Sequence, residues 1–178
     1  MTIIKSYIKN SDKICRGTKK MKTIVLGVGN QILGDDGVGI HVVNELKKQI
    51  KDPNITLDNA VTGGMNLLEL LLGYDKAIII DAVKTNDGKS GDVKRIPLSN
   101  FSTMHSCNPH DVSLIEAIEI AKKMGEDKIP KEIIVIGILM KEIPCEFGEK
   151  LSEKISSAVP KAIDMTLKEI NNKIKNST

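Results

Sequence analysis

Three side chains in this sequence have the types and placing to converge on a cation: Asp36, Asp81 and His110. Asp36 is the second acid of the stretch "IVLGVGNQILGDDGVGIHVV", residues 24–43, where an apolar run ends in glycines and a helix follows. A dinucleotide fingerprint would need a third glycine at position 32, which is Ile32, and Gly34 comes two residues late. A Walker loop would need a lysine after its last glycine, yet Gly34 is followed by Asp35. A helix N-terminus attracts anions through its free N–H groups and its dipole. Here the chain's own carboxylates occupy that place, so the ligand suited to the loop is a cation. Asp81 closes "AIIID", and an acid after four apolar residues is costly unless it is used. His110 lies in "NPHDVSL", expected in the first turn of a helix. Two carboxylates and one imidazole make a borderline N/O donor set with room for a water or a substrate ligand.

The elements that must position these groups alternate along the chain. Residues 22–28, 55–61, 76–83 and 132–140 are expected strands, and the third is apolar on both faces, as a central parallel strand should be. Residues 92–98 form a weaker strand, and Lys94, Arg95 and Pro97 put it at an edge. A helix is expected over 36–51, with Val42, Val43, Leu46 and Ile50 on one face. A short apolar helix follows the "TGG" turn, and another is expected to start at Asn108-Pro109 and run to about Lys123. From Phe147 to about Ile174, apolar residues recur at helical spacing, predicting one long helix kinked by Pro160. The expectation is an α/β three-layer sandwich, a mostly parallel sheet of about five strands with helices on both faces. Sites in such sheets form beyond the carboxyl ends of the strands, which is where all three candidates fall.

With 178 residues the chain is long enough for one domain with its own core, expected over 21–178. Aromatic residues are 2% and tryptophan is absent, so the core must be aliphatic and stacking platforms for nucleic acid are not expected. Lys5, Lys9, Lys13, Arg16, Lys19 and Lys20 against Asp12 give residues 1–20 a net +5, which leaves the rest of the chain at −2 within the total of +3. That near-neutral body offers no electrostatic case for DNA or RNA. Residues 1–20 read as a disordered basic extension, or as the product of a misplaced start with Met21 as the true beginning. Cys15, Cys107 and Cys145 form no CxxC pair, which argues against a disulfide framework and fits a reducing cytoplasm. No apolar run is long enough for a membrane span, and the first twenty residues lack the apolar core of a signal peptide.

Four motifs in order, "LGVGNQILGDDGVG", "TGGMNLLELL", "IIIDAV" and "NPHDVSL", resemble the hydrogenase maturation proteases over about residues 21–167. These endopeptidases trim the C-terminal extension from the large-subunit precursor of nickel-iron hydrogenases. The resemblance implies that Asp36, Asp81 and His110 bind nickel, and that this nickel belongs to the precursor, so that only a metal-loaded client is cut. It implies catalytic work for Asp36 and Asp81, with either the metal or a carboxylate activating the water. The family has been grouped with aspartic peptidases and with metal-dependent ones. "PHDVSL" is similar to archaeal members that mature the F420-reducing hydrogenase.

Around these residues, Gly63 and Gly64 could offer backbone N–H groups to the substrate peptide or an oxyanion. Asn30 is expected to brace the glycine loop, and Asp35 to cap the following helix. His41 lies about 140° around the helix from Asp36 and is expected at the surface. His105 is expected to be solvent-exposed in its loop, and Cys107 an ordinary thiol. Two other readings remain: a non-catalytic nickel-binding chaperone with the same ligands, separated by processing activity, and a Rossmann-like nucleotide-binding enzyme, separated by saturable binding of NAD or FAD.

Overall fold

The computed structural model describes residues 20–86, 88–101, 112–142 and 147–172. Five strands form one sheet in the order β2-β1-β3-β5-β4. They are β1 (Thr23–Val28), β2 (Ile55–Ala60), β3 (Lys76–Lys84), β4 (Val93–Ile96) and β5 (Glu132–Met140). All pairings are parallel except β4 with β5. The helices are α1 (Val38–Gln49), α2 (Gly64–Leu71), α3 (Leu114–Lys123), α4 (Glu153–Ser156) and α5 (Val159–Asn171).

Alternation along the strands builds two cores. Val25, Ile78, Ile80, Ile134 and Ile136 pack beneath α1 and α5 through Val42, Val43, Leu46 and Ala162. Ile24, Leu26, Ala77, Ile79 and Val135 turn the other way, onto Leu67, Leu71, Leu114 and Ala117 of α2 and α3. The three-layer α/β expectation therefore holds, with β4 at the expected edge. Among the described residues no helix is long and apolar enough to cross a membrane.

Glycine sets how closely α1 can approach the sheet. A Cβ on Gly39 would stand 2.2 Å from the Ile80 carbonyl oxygen and 2.5 Å from that of Val28. A Cβ on Gly27 would stand 2.4 Å from the Gly39 carbonyl oxygen. The first turn of α1 thus rests directly on the β1–β3 boundary. That boundary is where the chain reverses its direction of travel across the sheet, β2 lying to one side of β1 and β3 to the other. Crevices at such switch points are where α/β sheets bind ligands.

Two helix expectations change. The 147–174 segment is not one helix: α4 starts at Glu153 with Ser152 as N-cap, and α5 starts at Val159. Pro160 sits in the first turn of α5, where its missing N–H has no helical partner to lose, so it begins a helix rather than kinking one. Likewise α3 begins at Leu114, capped by Ser113 in a capping box with Glu116. The expected start at Asn108-Pro109 lies outside the described residues, and Val112 and Ser113 are not helical.

The buried ammonium of Lys76 closes the amino edge of the sheet. Its Nζ donates to the carbonyls of Glu169 (2.8 Å) and Asn172 (2.9 Å) at the end of α5. It also pairs with Glu132 at 3.1 Å, and Arg95 bridges Glu132 and Glu169.

Candidate active site

The acid loop is closed by glycine and asparagine. Gly29 has φ +144°, and a Cβ there would lie 2.1 Å from the Asp36 carbonyl oxygen. The Asn30 N–H donates to Asp36 Oδ2 at 2.7 Å, and the Asn30 side-chain oxygen accepts from Ile32 N–H at 3.2 Å. Asn30 thus ties the loop through one backbone and one side-chain contact. Asp36 is only 4% exposed and sits in a 3-10 turn, Gly34–Gly37, just ahead of α1 rather than within it. The turn packs on β3, which brings it to the strand that carries Asp81.

Asp35 is not the cap of α1. Gly37 occupies that position, with no side-chain cap. The Asp35 carboxylate instead accepts from the Ser152 N–H at 2.6 Å, across 117 residues of chain. Around it, Gly34 N–H donates to the Gly148 carbonyl at 2.6 Å, and Gly148 N–H donates to that of Ile32 at 3.0 Å. Leu33 and Gly148 form a short parallel bridge. The segment entering α4 thus buttresses the acid loop, a role the sequence did not reveal.

Asp81 is fully buried in β3, in register with Gly137 of β5. The strand does not end there but continues to Lys84, because Ala82 and Val83 keep pairing with β5 after β1 has stopped. β1 pairs with β3 only as far as Gly27 with Ile80. Asp81 is therefore the first β3 residue beyond the β1 ladder, at the switch-point crevice. Asp36 sits in the turn between β1 and α1, and Asp81 on β3.

Gly63 is the N-cap of α2, and Gly64 has φ +56°. A Cβ on Gly64 would meet the Val112 carbonyl oxygen at 2.2 Å, so the chain two residues after His110 passes directly against this turn. His110 itself, with His105 and Cys107, lies outside the described residues. Among the described residues no three metal-ligating side chains form a group that could hold a metal ion. Two of the three expected ligands, Asp36 and Asp81, are at the same edge.

His41 is half-buried, which corrects its expected place at the surface. It lines a cleft of about 570 Å³ between α1 and α5, with Glu45, Gln49, Val159 and Ile163. The helix is rotated so that this side faces α5, which the supposed continuous C-terminal helix did not predict. Ile32, Val61, Met65 and Phe147 are exposed apolar residues in the loops and helix start at the carboxyl edge.

Comparison with known proteins gives this site its context. A family model described as hydrogenase maturation protease matches residues 40–169. A putative hydrogenase maturation protease of Methanocaldococcus jannaschii is 32% identical, over 85% of this chain and 98% of its own length. The coenzyme F420 hydrogenase subunit delta of Methanothermobacter thermautotrophicus is 29% identical, over 83% of this chain and 93% of its own. Among solved structures, the hydrogenase maturating endopeptidase HybD from Escherichia coli superposes with a TM-score of 0.68 at 24% identity, covering 85% of this chain and 94% of that one. At that identity the structural likeness is one of fold.

Proposed function

Because the chain belongs to the hydrogenase maturation protease family, we propose that it is the endopeptidase that removes the C-terminal extension of a nickel-iron hydrogenase large-subunit precursor. The observation that carries the catalytic reading is the placing of two buried carboxylates at the switch point, Asp36 in the 3-10 turn that packs on β3 and Asp81 on β3 itself. Burying such acids is costly, and the cost is offset when they work together on a ligand.

The donor set fits nickel: carboxylate oxygens from Asp36 and Asp81, joined by the imidazole of His110. Asp36, Asp81 and His110 would hold a metal brought by the client, and that metal would supply Lewis-acid polarisation of a nearby carbonyl. One carboxylate takes a proton from the attacking water, whose oxygen adds to the scissile carbonyl carbon. The proton then passes to the departing amine nitrogen as the C–N bond breaks, in the manner of an aspartic-type hydrolase. Gly63 and Gly64, at the start of α2, offer backbone N–H groups to the developing oxyanion. The expected setting is the cytoplasm, which suits three cysteines that form no CxxC motif.

Asp36→Ala, Asp81→Ala and His110→Ala should each abolish trimming while the far-ultraviolet circular dichroism stays unchanged. Asp36→Asn separates chemistry from folding, since an amide oxygen can still accept from Asn30 N–H. Continued trimming by the triple alanine variant would sink this reading. Loss of trimming with saturable nickel binding in the wild type alone would support it.

A further inference from the structure

The sheet has two edges, and they are treated differently. At β4, the exposed Lys94 and Arg95 and the following Pro97 discourage another strand from adding. At β2, among the described residues, only β1 pairs with the strand. The β1–β2 ladder is bounded by Thr23 N–H donating to the Asn54 carbonyl (2.9 Å) and Gly29 N–H donating to that of Ala60 (3.1 Å). Even-numbered residues of β2 therefore face β1, and Ile55, Leu57 and Asn59 direct their backbone groups outward. Ile55 N–H is taken by the Asp52 carbonyl at 3.0 Å, and Asn59 N–H by Asp58 Oδ1 at 2.8 Å. The Leu57 N–H and the carbonyls of Ile55, Leu57 and Asn59 remain directed along the outer edge.

This edge leads into the candidate site. Ala60 holds Gly29 at the root of the acid loop, and Gly63 and Gly64 follow three and four residues later. Between and just beyond them stand Val61, 62% exposed, and Met65, 40% exposed. An endopeptidase needs its substrate extended, with both sides of the scissile bond accessible. A strand edge that, among the described residues, pairs with no further strand and leads toward the root of the acid loop past apolar side chains supplies such a track.

We propose that the client's C-terminal segment docks as an added strand on the outer edge of β2, seating apolar side chains on Val61 and Met65. Backbone hydrogen bonds give the track its hold and tolerate varied sequences, while Val61 and Met65 select apolar residues near the cut. The inference rests on the protease reading, and its test keeps the two apart.

The probe is the nickel-loaded hydrogenase large-subunit precursor from the same organism, added to the Asp81→Asn variant to hold the complex. Hydrogen exchange read by mass spectrometry should slow by about tenfold over residues 54–61 and stay unchanged over 92–98. In parallel, wild-type protein is assayed for cleavage, and Val61→Asp should raise KM on the order of tenfold with kcat little changed. Cleavage with protection at β2 supports the docking. Cleavage with protection elsewhere overturns the docking and leaves the protease reading standing. Protection at β2 without cleavage upholds the docking and removes the protease reading. Neither cleavage nor protection overturns both.

Discussion

Replacing Asp35 tests whether the acid loop is held from a distance rather than capped locally. Asp35 is 8% exposed, and its carboxylate accepts from Ser152 N–H at 2.6 Å. A hydrogen bond to a charged acceptor contributes about 1.5–3 kcal/mol, and a buried donor left without a partner costs about 1–3 kcal/mol. Asp35→Ala should therefore destabilise the fold by about 2–3 kcal/mol, since the two figures overlap rather than add. For a domain of this size that lowers Tm by roughly 4–12 °C. Asp35→Asn keeps an acceptor and should lose about 1 kcal/mol. Asp35→Ser discriminates between the two roles: a serine caps a helix well but is too short to reach Ser152. Ser152 has φ −59°, so Ser152→Pro deletes the donor N–H without forcing φ. Urea unfolding of wild type, both single variants and the double variant gives the coupling energy, expected at about 1–2 kcal/mol. A coupling near zero, or an Asp35→Ser variant as stable as wild type, would refute the long-range tether.

Gly39→Ala would place a methyl 2.2 Å from the Ile80 carbonyl oxygen; because the obstacle is backbone, a loss of about 1–3 kcal/mol or more is expected in urea unfolding, together with loss of trimming. Lys76→Ala would leave Glu132 and two helix-end carbonyls without their ammonium, and thermal unfolding should show about 3–5 kcal/mol lost. Asp52 is held below the usual carboxylate value of 3.8, first by the Asn54 backbone N–H, then by the Asn54 side chain and Lys20. Its folded pKa is depressed, so its contribution is complete above about pH 4 and disappears as pH falls through the folded value. An Asp52→Asn variant should lose stability relative to wild type at pH 7 and converge with it as the pH falls through the depressed folded value, as followed by urea midpoints.

Much of the fold was legible because its signals are local. Uninterrupted apolar runs such as "KAIIID" and "IIVIGILM" are long enough for strands and too short for helices, and both are central in the sheet. Pro97 and its basic neighbours marked the edge at β4. The apolar runs "TIVLGV" and "KAIII" were enough to place Asp36 in the turn after β1 and Asp81 on β3. What failed depended on distant partners or on choices between equivalent local signals. Nothing near Asp35 announces Ser152, so the N-cap reading was the natural one and was wrong. "NPH" and "SLIE" are both good helix starts, and α3 uses the second, through the Ser113–Glu116 box. Pro160 can kink a helix or begin one, and only the break after Ser156 decides. The buried ammonium of Lys76 was invisible because its acceptors arrive from the far end of the chain. His110, the third expected ligand, lies outside the described residues.

The central claim is that this chain cuts a metal-loaded precursor at the edge carrying Asp36 and Asp81. The most direct measurement is the intact mass of a hydrogenase large-subunit precursor, nickel-loaded or nickel-free, after incubation with the purified protein. The account predicts that a C-terminal peptide is lost from the loaded form alone, and that Asp36→Asn prevents the loss. An unchanged mass for both forms would contradict the protease assignment, and equal trimming of both would contradict the metal gate.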